Sequence, residues 1–404
     1  MKFYKYIKKK YRKTSKLFGI TIFEQIFNHL TTKRYQYFLN GIVTTYKVKD
    51  IYDIRVEKVI KFLGVEIIKR IEDGDNCFWY CSGKLIRKIS AVDVFKSKYI
   101  KYFNKKYDDI YILTANSGET FLFLTYIWEL LTREKNSRMP LIVATKKYHI
   151  DLINMICSKV PYIYIKAMDM NIKNFSFTVD KFRIFSIFPH EYFLGIEVDI
   201  KDNVAGKVNY FTSMLKYFGY NESDLIVNSV NVPNESEKSM LNKIKSLNLD
   251  LSKFIFIAPE AITCELLDNS FWKILIEDFK NLGFDIFVNL VDTKFNIGLD
   301  NYKTCSLSVS EAFALAKRAK KIVTLRSGFS ELLVQAGVPI DILYNKFRNR
   351  RCFNDMSVKQ VMEGFSLKKL PMLTNRCISE YEYNISDQSS LIKEIVGKSL
   401  ECQK

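Results

Sequence analysis

Two short segments of this chain place small and charged residues where an apolar run ends and a helix begins. The first is TANSGETFLF, in which Asn116, Ser117 and Gly118 form the predicted turn and Glu119 opens the helix. Open α/β sheets bind ligands at the carboxyl ends of their strands, and a glycine lets backbone and ligand approach closely. Glu119 is therefore a candidate general base for a hydroxyl group, with Asn116, Ser117 and Gly118 on the same side of the site. An acid in a first helical turn also simply complements the helix dipole, and the spacing leaves both interpretations open.

The second segment is TLRSGFSELL, which has the same strand, turn and helix layout. Ser327 and Gly328 lie where the helix opens, so its unbonded N–H groups and its dipole favour a diphosphate there. The guanidinium of Arg326 suits phosphate geometry, and Glu331, one turn into the helix, could accept hydrogen bonds from ribose hydroxyls. The alternative is a serine-capped helix with Arg326 in a structural ion pair. The motif is shorter than a complete dinucleotide-binding or Walker signature.

A third segment, FIAPEAITCELLDNSFW, begins a loop at a strand end. Pro259 and Glu260 are candidate ligand contacts on the same side as Ser327, and Thr263 and Ser270 could also reach a ligand. Trp272 is more typical of a core residue than of a stacking platform for a base.

The spacing of the histidines and cysteines does not match a metal site or a catalytic motif. His190, in SIFPHEYF, is a candidate acceptor-side or catalytic group, although a surface-loop histidine is the simpler interpretation. The eight cysteines include no CxxC pair, and Cys77 and Cys81 are the closest two. Scattered cysteines are typical of reduced residues in a cytoplasmic protein. We expect no metal site and no cofactor.

The elements that must position these residues alternate strand and helix from Asp108 onward. Short apolar runs such as PLIVATKK and FIFIAPEA are separated by amphipathic stretches of helical length, which is typical of parallel sheets covered by helices. The predicted fold class is α/β with two Rossmann-like domains facing across a cleft. The expected segments are a basic helical segment at 1–50, a β-rich insert with a hairpin at 51–105, an acceptor domain at 106–235, a donor domain at 236–350, and a tail packing back at 351–404.

Charge is concentrated at the start of the chain. The formal net charge of the 404 residues is +18, and half of the first 16 residues are Lys or Arg, with aromatics between them. Such a segment suits the headgroups of an anionic membrane, so we expect peripheral attachment to the inner face of the cytoplasmic membrane. A nucleic-acid backbone is the alternative partner, and genome composition alone can also produce such a charge. No recognised nucleic-acid-binding motif is present, so nucleic acid is not the expected partner.

Over about Asp108 to Tyr344 the chain resembles the two-Rossmann (GT-B) bacterial glycosyltransferases, especially the heptosyltransferase-like, family 9-like branch of lipopolysaccharide and capsule biosynthesis. Gly118-Glu119 stands where that branch has Gly-Asp, whose acid is the proposed base. Arg326-Ser327-Gly328 and Glu331 stand where it has Asp-Ser/Thr-Gly and a later His. The hairpin run FLGVEIIKRI and GKLIRKI resembles segments of capsule-cluster glycosyltransferases.

The resemblance implies a metal-independent, inverting sugar transfer from a nucleotide-sugar co-substrate to a lipid-linked or growing surface glycan. Glu119 would accept the proton of the acceptor, and the helix at Ser327 would hold the leaving diphosphate. A phospho-group transferase with the same fold, a nucleic-acid-binding protein and a nucleotide-sensing scaffold are the alternatives.

Overall fold

The structure, a computed structural model, forms two compact units: Met1–Tyr107 with Asp169–Pro189, and Asp108–Met168 with His190–Lys404. The structure describes the whole chain except residues 1–3, 10–11, 18–19, 29–32, 39–42, 50–54, 64, 74–75, 135–138, 167–175, 188–208, 263, 292–301, 348–355, 372–376 and 402–404.

The first unit is built on a nine-stranded antiparallel sheet in which every strand pairs with the next one along the chain. Its strands are β1 (Tyr4–Lys9), β2 (Arg12–Leu17), β3 (Ile20–Asn28), β4 (Lys33–Phe38), β5 (Val43–Lys49), β6 (Arg55–Phe62), β7 (Val65–Asp73), β8 (Asn76–Cys81) and β9 (Lys84–Ser90). Helix α1 (Ala91–Tyr99) follows, with Ser90 as its N-cap, and continues into a 3₁₀ turn, Ile100–Tyr102.

The helices expected in residues 1–50 are wrong, because that stretch contributes β1 to β5. Its segments KRYQYF and VTTYKVK are rich in aromatic and β-branched residues, which favour strands. The many lysines made this strand preference hard to recognise, because lysine is common both in helices and at exposed strand positions.

Two further strands, β13 (Ser176–Val179) and β14 (Phe182–Ile187), pair antiparallel in a tight hairpin within the first unit. Asp180, in the two-residue turn, has a φ of 53°. Such turns favour Asn-Gly or Asp-Gly, and Asp180-Lys181 is a weaker signal, so the sequence analysis missed the hairpin.

The second unit contains two parallel sheets. The first has the order β12-β11-β10 over β10 (Asp109–Leu113), β11 (Pro140–Ala144) and β12 (Tyr162–Tyr164). The second has the order β16-β15-β17-β18-β19 over β15 (Phe254–Ala258), β16 (Asp285–Val288), β17 (Lys321–Leu325), β18 (Ile340–Tyr344) and β19 (Ile378–Glu382). The predicted α/β architecture with parallel sheets is confirmed.

Helices alternate with these strands. They are α2 (Ser117–Leu122), which passes through a π-helical segment (Phe123–Ile127) into α3 (Trp128–Glu134), then α4 (Lys147–Ile156), α5 (Tyr210–Phe218), α6 (Asn234–Ile244), α7 (Asn269–Asn281), α8 (Val309–Ala316), α9 (Gly328–Leu333), α10 (Val358–Phe365) and α11 (Gln388–Glu401). Four 3₁₀ turns complete the unit: Glu222–Asp224, Lys245–Leu247, Leu367–Lys369 and Ile385–Asp387. Among the described residues, no helix has the length and apolar character needed to cross a bilayer.

The central parallel strands are buried along their whole length, as strands covered on both faces require. Every residue of β15, β17 and β18 is buried, and α7 packs Phe271, Trp272 and Leu275 into the core that they share. The stretch after residue 350, expected as a tail, adds β19 beside β18 and the helix α11. That burial fixes the carboxyl ends of the strands, where the candidate site lies.

Candidate functional site

A cavity of about 800 Å³ lies in the second unit, where the strands of both parallel sheets end. Its volume is in the range of small-molecule sites. One wall carries residues that follow β10 and β11, and the other carries residues that follow β15, β16 and β17. The predicted site residues in its lining are Asn116, Ser117, Glu119, Pro259, Glu260, Arg326, Ser327, Gly328 and Glu331.

Two glycines let the helices of the two central motifs meet end to end. A side-chain carbon on Gly118 would lie 2.7 Å from the Gly328 Cα, and one on Gly328 would lie 2.7 Å from the Gly118 N. Both distances are too short for any carbon atom. The contact brings α2 and α9 together at their N-termini, so Gly118 acts here as a close-packing residue.

Beside this contact lies a buried ion pair between Arg326 and Glu331. Arg326 Nη2 is 2.6 Å from Glu331 Oε1, and its remaining groups donate to the carbonyls of Ser327 (2.7 Å) and Phe365 (3.2 Å). The structure therefore has the ion pair that the sequence left as the alternative for Arg326. Although burial acts to lower the pKa of Arg326, the Glu331 carboxylate raises it above its usual value.

Glu331 is buried with one oxygen unsatisfied. Among the described residues, no hydrogen-bond partner reaches its Oε2, and a Cβ on Gly118 would lie 2.1 Å from that atom. Burial raises the pKa of Glu331 to about 7, with Glu119 adding to the rise and Arg326 acting against it. This oxygen is packed against Gly118, and a buried acceptor without a partner costs free energy, most of all when the carboxylate is charged.

Glu119 lies half-buried in the first turn of α2 and lines the cavity together with Tyr148. Lys146, the N-cap of α4, and Tyr148, in the first turn of α4, both donate to the Ala115 carbonyl, over 3.1 Å and 3.3 Å. Burial lowers the pKa of Lys146, and the negative charge of Glu119 opposes this shift. The first wall of the cavity thus combines a carboxylate with a nearby phenol and ammonium.

His149 is buried behind this wall and stabilises it through two hydrogen bonds. Its Nδ1 accepts from the Thr145 N–H (3.2 Å), which leaves Nε2 to donate to the Ala115 carbonyl (3.0 Å). Burial lowers the pKa of His149 to about 4, the Ala115 carbonyl opposes the shift, and Lys146 adds to it. The neutral ring therefore joins the ends of β10 and β11.

The second wall opens at the start of α9. Ser327 caps the helix: its Oγ accepts from the Ser330 N–H (3.4 Å), and its own N–H donates to Ser330 Oγ (3.1 Å). The next amides, of Gly328 and Phe329, belong to a first helical turn that offers them no helical acceptor. Gly328 and Phe329 both line the cavity.

The loops after β15 and β16 form the rim. The Val291 N–H donates to Glu260 Oε2, so Glu260 ties the two loops together beside Pro259. Trp272 is buried in the core and also lines the cavity, whereas Ser270 is exposed and lies outside the lining. Thr263 and His190 lie outside the described residues.

The sequence analysis missed Lys146, Tyr148, His149 and the aromatic wall made by Tyr210 and Phe365. The two rings of that wall stack with centroids 5.4 Å apart. The position of TKKYHI could have indicated Lys146, Tyr148 and His149, because this segment directly follows an apolar strand, as the other candidate site segments do. Tyr210 and Phe365 are far apart in the chain and carry no local motif.

The described residues contain no group of three or more His, Cys, Asp or Glu side chains that could hold a metal ion.

No family model matches the chain, and no curated protein matches it. Solved structures do resemble it. One is a family 9 glycosyltransferase from Veillonella parvula DSM 2008, with 12% identity and a TM-score of 0.45 over 74% of this chain and 98% of the other. The ADP-heptose lipopolysaccharide heptosyltransferase II of E. coli has 10% identity and a TM-score of 0.41 over 74% and 100%. The wall teichoic acid polymerase TagF has 11% identity and a TM-score of 0.36 over 78% and 86%.

These structures include members of the group that the two glycine motifs resemble. The dodecameric glycosyltransferase TibC of enterotoxigenic E. coli, described as iron-containing, is also among them, with 14% identity and a TM-score of 0.39 over 72% of this chain and 69% of the other.

Proposed function

We propose that this chain is a glycosyltransferase that moves a sugar from a nucleotide-sugar donor to a hydroxyl of a surface glycan. One observation supports it most directly. A single cavity of about 800 Å³ joins the half-buried carboxylate Glu119 to the opening turn of α9. A nucleotide sugar needs both features, because one end of the bond that breaks is a diphosphate and the incoming hydroxyl must lose a proton.

In the proposed reaction the acceptor oxygen attacks the anomeric carbon while the bond from that carbon to the diphosphate oxygen breaks. Glu119 takes the proton of the hydroxyl, and the electron pair of the broken bond leaves with the nucleoside diphosphate. Direct attack inverts the anomeric centre. The amides of Gly328 and Phe329 and the dipole of α9 favour the departing charge.

Arg326 supports this arrangement indirectly. Its Nη2, Nη1 and Nε donate to Glu331, Ser327 and Phe365, so it fixes the turn that presents the amides. The proposed role of Glu331, which lines the cavity, is to accept a hydrogen bond from a ribose hydroxyl of the donor. Pro259 and Glu260 would border the same donor, and Asn116 and Ser117 would border the acceptor.

The proposed acceptor is lipid-linked or a growing lipopolysaccharide or capsule glycan, met at the inner face of the cytoplasmic membrane. Half of the first 16 residues are Lys or Arg, which supports attraction to anionic headgroups. No cofactor beyond the co-substrate enters the proposal.

The test is the transfer or hydrolysis rate of Glu119→Gln against the wild type, with each of the common nucleotide sugars. Loss of a general base should lower kcat about 10²- to 10⁴-fold, while donor affinity changes little. The matched control is Glu235→Gln, an exposed acid in the first turn of α6, which should keep the full rate.

An unchanged rate in Glu119→Gln would contradict the base assignment. A product that carries phosphate from the donor, identified by mass, would instead establish a phospho-group transferase.

A further inference from the structure

The first unit presents a cluster of large apolar side chains to solvent. Phe62, Leu63 and Val65, at the turn between β6 and β7, are 50%, 67% and 62% exposed. Leu85 and Ile86, at the start of β9, are 53% and 63% exposed. These five residues, called the tip patch here, make up most of the exposed large apolar residues described in this unit.

The register of the sheet brings the five residues to one end. Successive turns of an antiparallel meander alternate between its two ends, so the β6–β7 and β8–β9 turns lie at the same end. Phe62 pairs with Val65, and Ile68 and Cys81 link β7 to the strand that leads into the second turn. A bond from the Ser82 N–H to the Ile67 carbonyl (2.9 Å) ties that second turn to β7.

The start of β9 contains a bulge. Trp79 pairs with Arg87 and Tyr80 with Leu85, so Ile86 is the extra residue between them, and Leu85 and Ile86 are both exposed. The order of the sheet makes β9 an edge strand. The patch therefore combines an exposed turn with the exposed start of an edge strand.

Basic side chains outnumber acidic ones around the tip patch. Exposed Lys84, Arg87 and Lys88 adjoin Leu85 and Ile86. The acid beside Val65, Glu66, is half-buried and stands opposite Lys61 in the register of β6 and β7. The tip is apolar and basic, which is the combination that anionic headgroups and the acyl boundary beneath them attract.

We propose that the tip patch docks this protein on an anionic lipid surface, with the apolar side chains in the headgroup layer and the three cations against lipid phosphates. This surface is separate from the basic segment at the start of the chain. The inference does not depend on the transferase activity, because it concerns binding to lipid alone.

The test is sedimentation of the full chain with phosphatidylcholine vesicles, with and without about a third phosphatidylglycerol. We expect binding to the anionic vesicles that weakens several-fold when salt is raised from 0.1 M to 0.5 M. Phe62→Thr with Leu63→Asn should lower the partition coefficient by roughly tenfold or more. Leu63 has a φ of 48°, which asparagine adopts readily, and threonine suits a strand, so the variant should keep its fold.

The control is Ile385→Thr, which removes an apolar side chain of similar exposure (65%) from the second unit and should leave binding unchanged. Equal binding by the patch variant and the wild type would overturn the proposal, as would failure of the wild type to bind anionic vesicles. A mass of twice 47.4 kDa in light scattering that falls to 47.4 kDa in the patch variant, without vesicle binding, would also overturn it and assign the patch to a second copy.

Discussion

Gly118 and Gly328 carry the closest packing in the site, because their backbones touch where two helices begin. The chemistry on either side depends on this contact: Glu119 follows Gly118, and the amides of α9 start at Gly328. The sequence analysis identified both glycines as turn residues next to a ligand. It could not show that they meet each other, because they are 210 positions apart, and local patterns carry no long-range pairing.

Gly118→Ala should destabilise the fold by about 1–3 kcal/mol, because its methyl would meet Glu331 Oε2 and the Gly328 Cα. Urea unfolding followed by tryptophan fluorescence measures this. Gly397→Ala is the matched control: the site is helical with nothing within 4 Å of the added carbon, so the change should be stabilising by about 0.5–1 kcal/mol. Similar stability changes in the two variants would contradict the packing role.

Glu331 should make stability depend on pH. Its pKa is raised from 4.5 to about 7 in the folded chain, so folding favours the protonated form. Its contribution is fully present below about pH 4.5 and is lost as pH rises through 7. The free energy of unfolding of the wild type relative to Glu331→Gln should therefore fall by about 1–3 kcal/mol between pH 4.5 and 8. A difference that stays constant across this range would refute the assignment.

The role of Arg326 could not be decided from the sequence alone. An arginine before Ser-Gly at a helix start is compatible with a phosphate ligand and with an ion pair. The choice depended on Glu331, one turn ahead, whose Oε1 lies 2.6 Å from Arg326 Nη2 with both side chains buried. Their positions in the sequence, one helical turn apart, indicate that the two residues are neighbours. The structure shows in addition that their side chains form an ion pair.

At the scale of elements, His149 joins β10 and β11 at their carboxyl ends and so holds the turn that carries Glu119. His149→Leu keeps the apolar volume but removes both ring hydrogen bonds. At pH 7.5 it should cost about 1–3 kcal/mol, measured by urea unfolding. The exposed neighbour Lys147→Ala should change stability by less than about 0.5 kcal/mol.

The cost of His149→Leu should shrink in acid. The pKa of His149 is lowered from 6.5 to about 4, so protonation favours the unfolded chain, and its contribution is lost as pH falls from 6.5 towards 4. A cost of the variant that is as large at pH 5 as at pH 7.5 would contradict the neutral, bonded histidine.

Strands and helices with a clear hydrophobic pattern of their own could be predicted from the sequence. Strands that depend on pairing with a segment far away in the chain could not. β15 and β17 are short, continuous apolar runs next to helix signals, and both were predicted from the segments FIFIAPEA and TLRSGFSELL. β19 reads ISEYE, whose mixed polarity suits an edge strand, and only its pairing with β18 makes it part of the sheet. The strands in residues 4–49 were missed because basic residues are dense in a pattern of β-formers.

At the scale of the whole molecule, the site results from two sheets that end at one cavity. The sequence analysis could place ligand contacts at strand ends, because that rule is general for parallel sheets. It could not predict the nine-stranded meander, whose strands repeat no motif, or the shape of the cavity, which depends on residues from across the second unit.

The central claim is that the cavity holds a nucleotide sugar, and calorimetric titration tests it most directly. The wild type and Ala261→Trp, which places a large ring in the cavity wall, are titrated with UDP-, GDP-, ADP-, CDP- and TDP-linked sugars. We predict that one nucleotide class binds the wild type and that Ala261→Trp weakens it at least tenfold while unfolding at a similar temperature. No binding by any class, or equal binding to both proteins, would contradict the account.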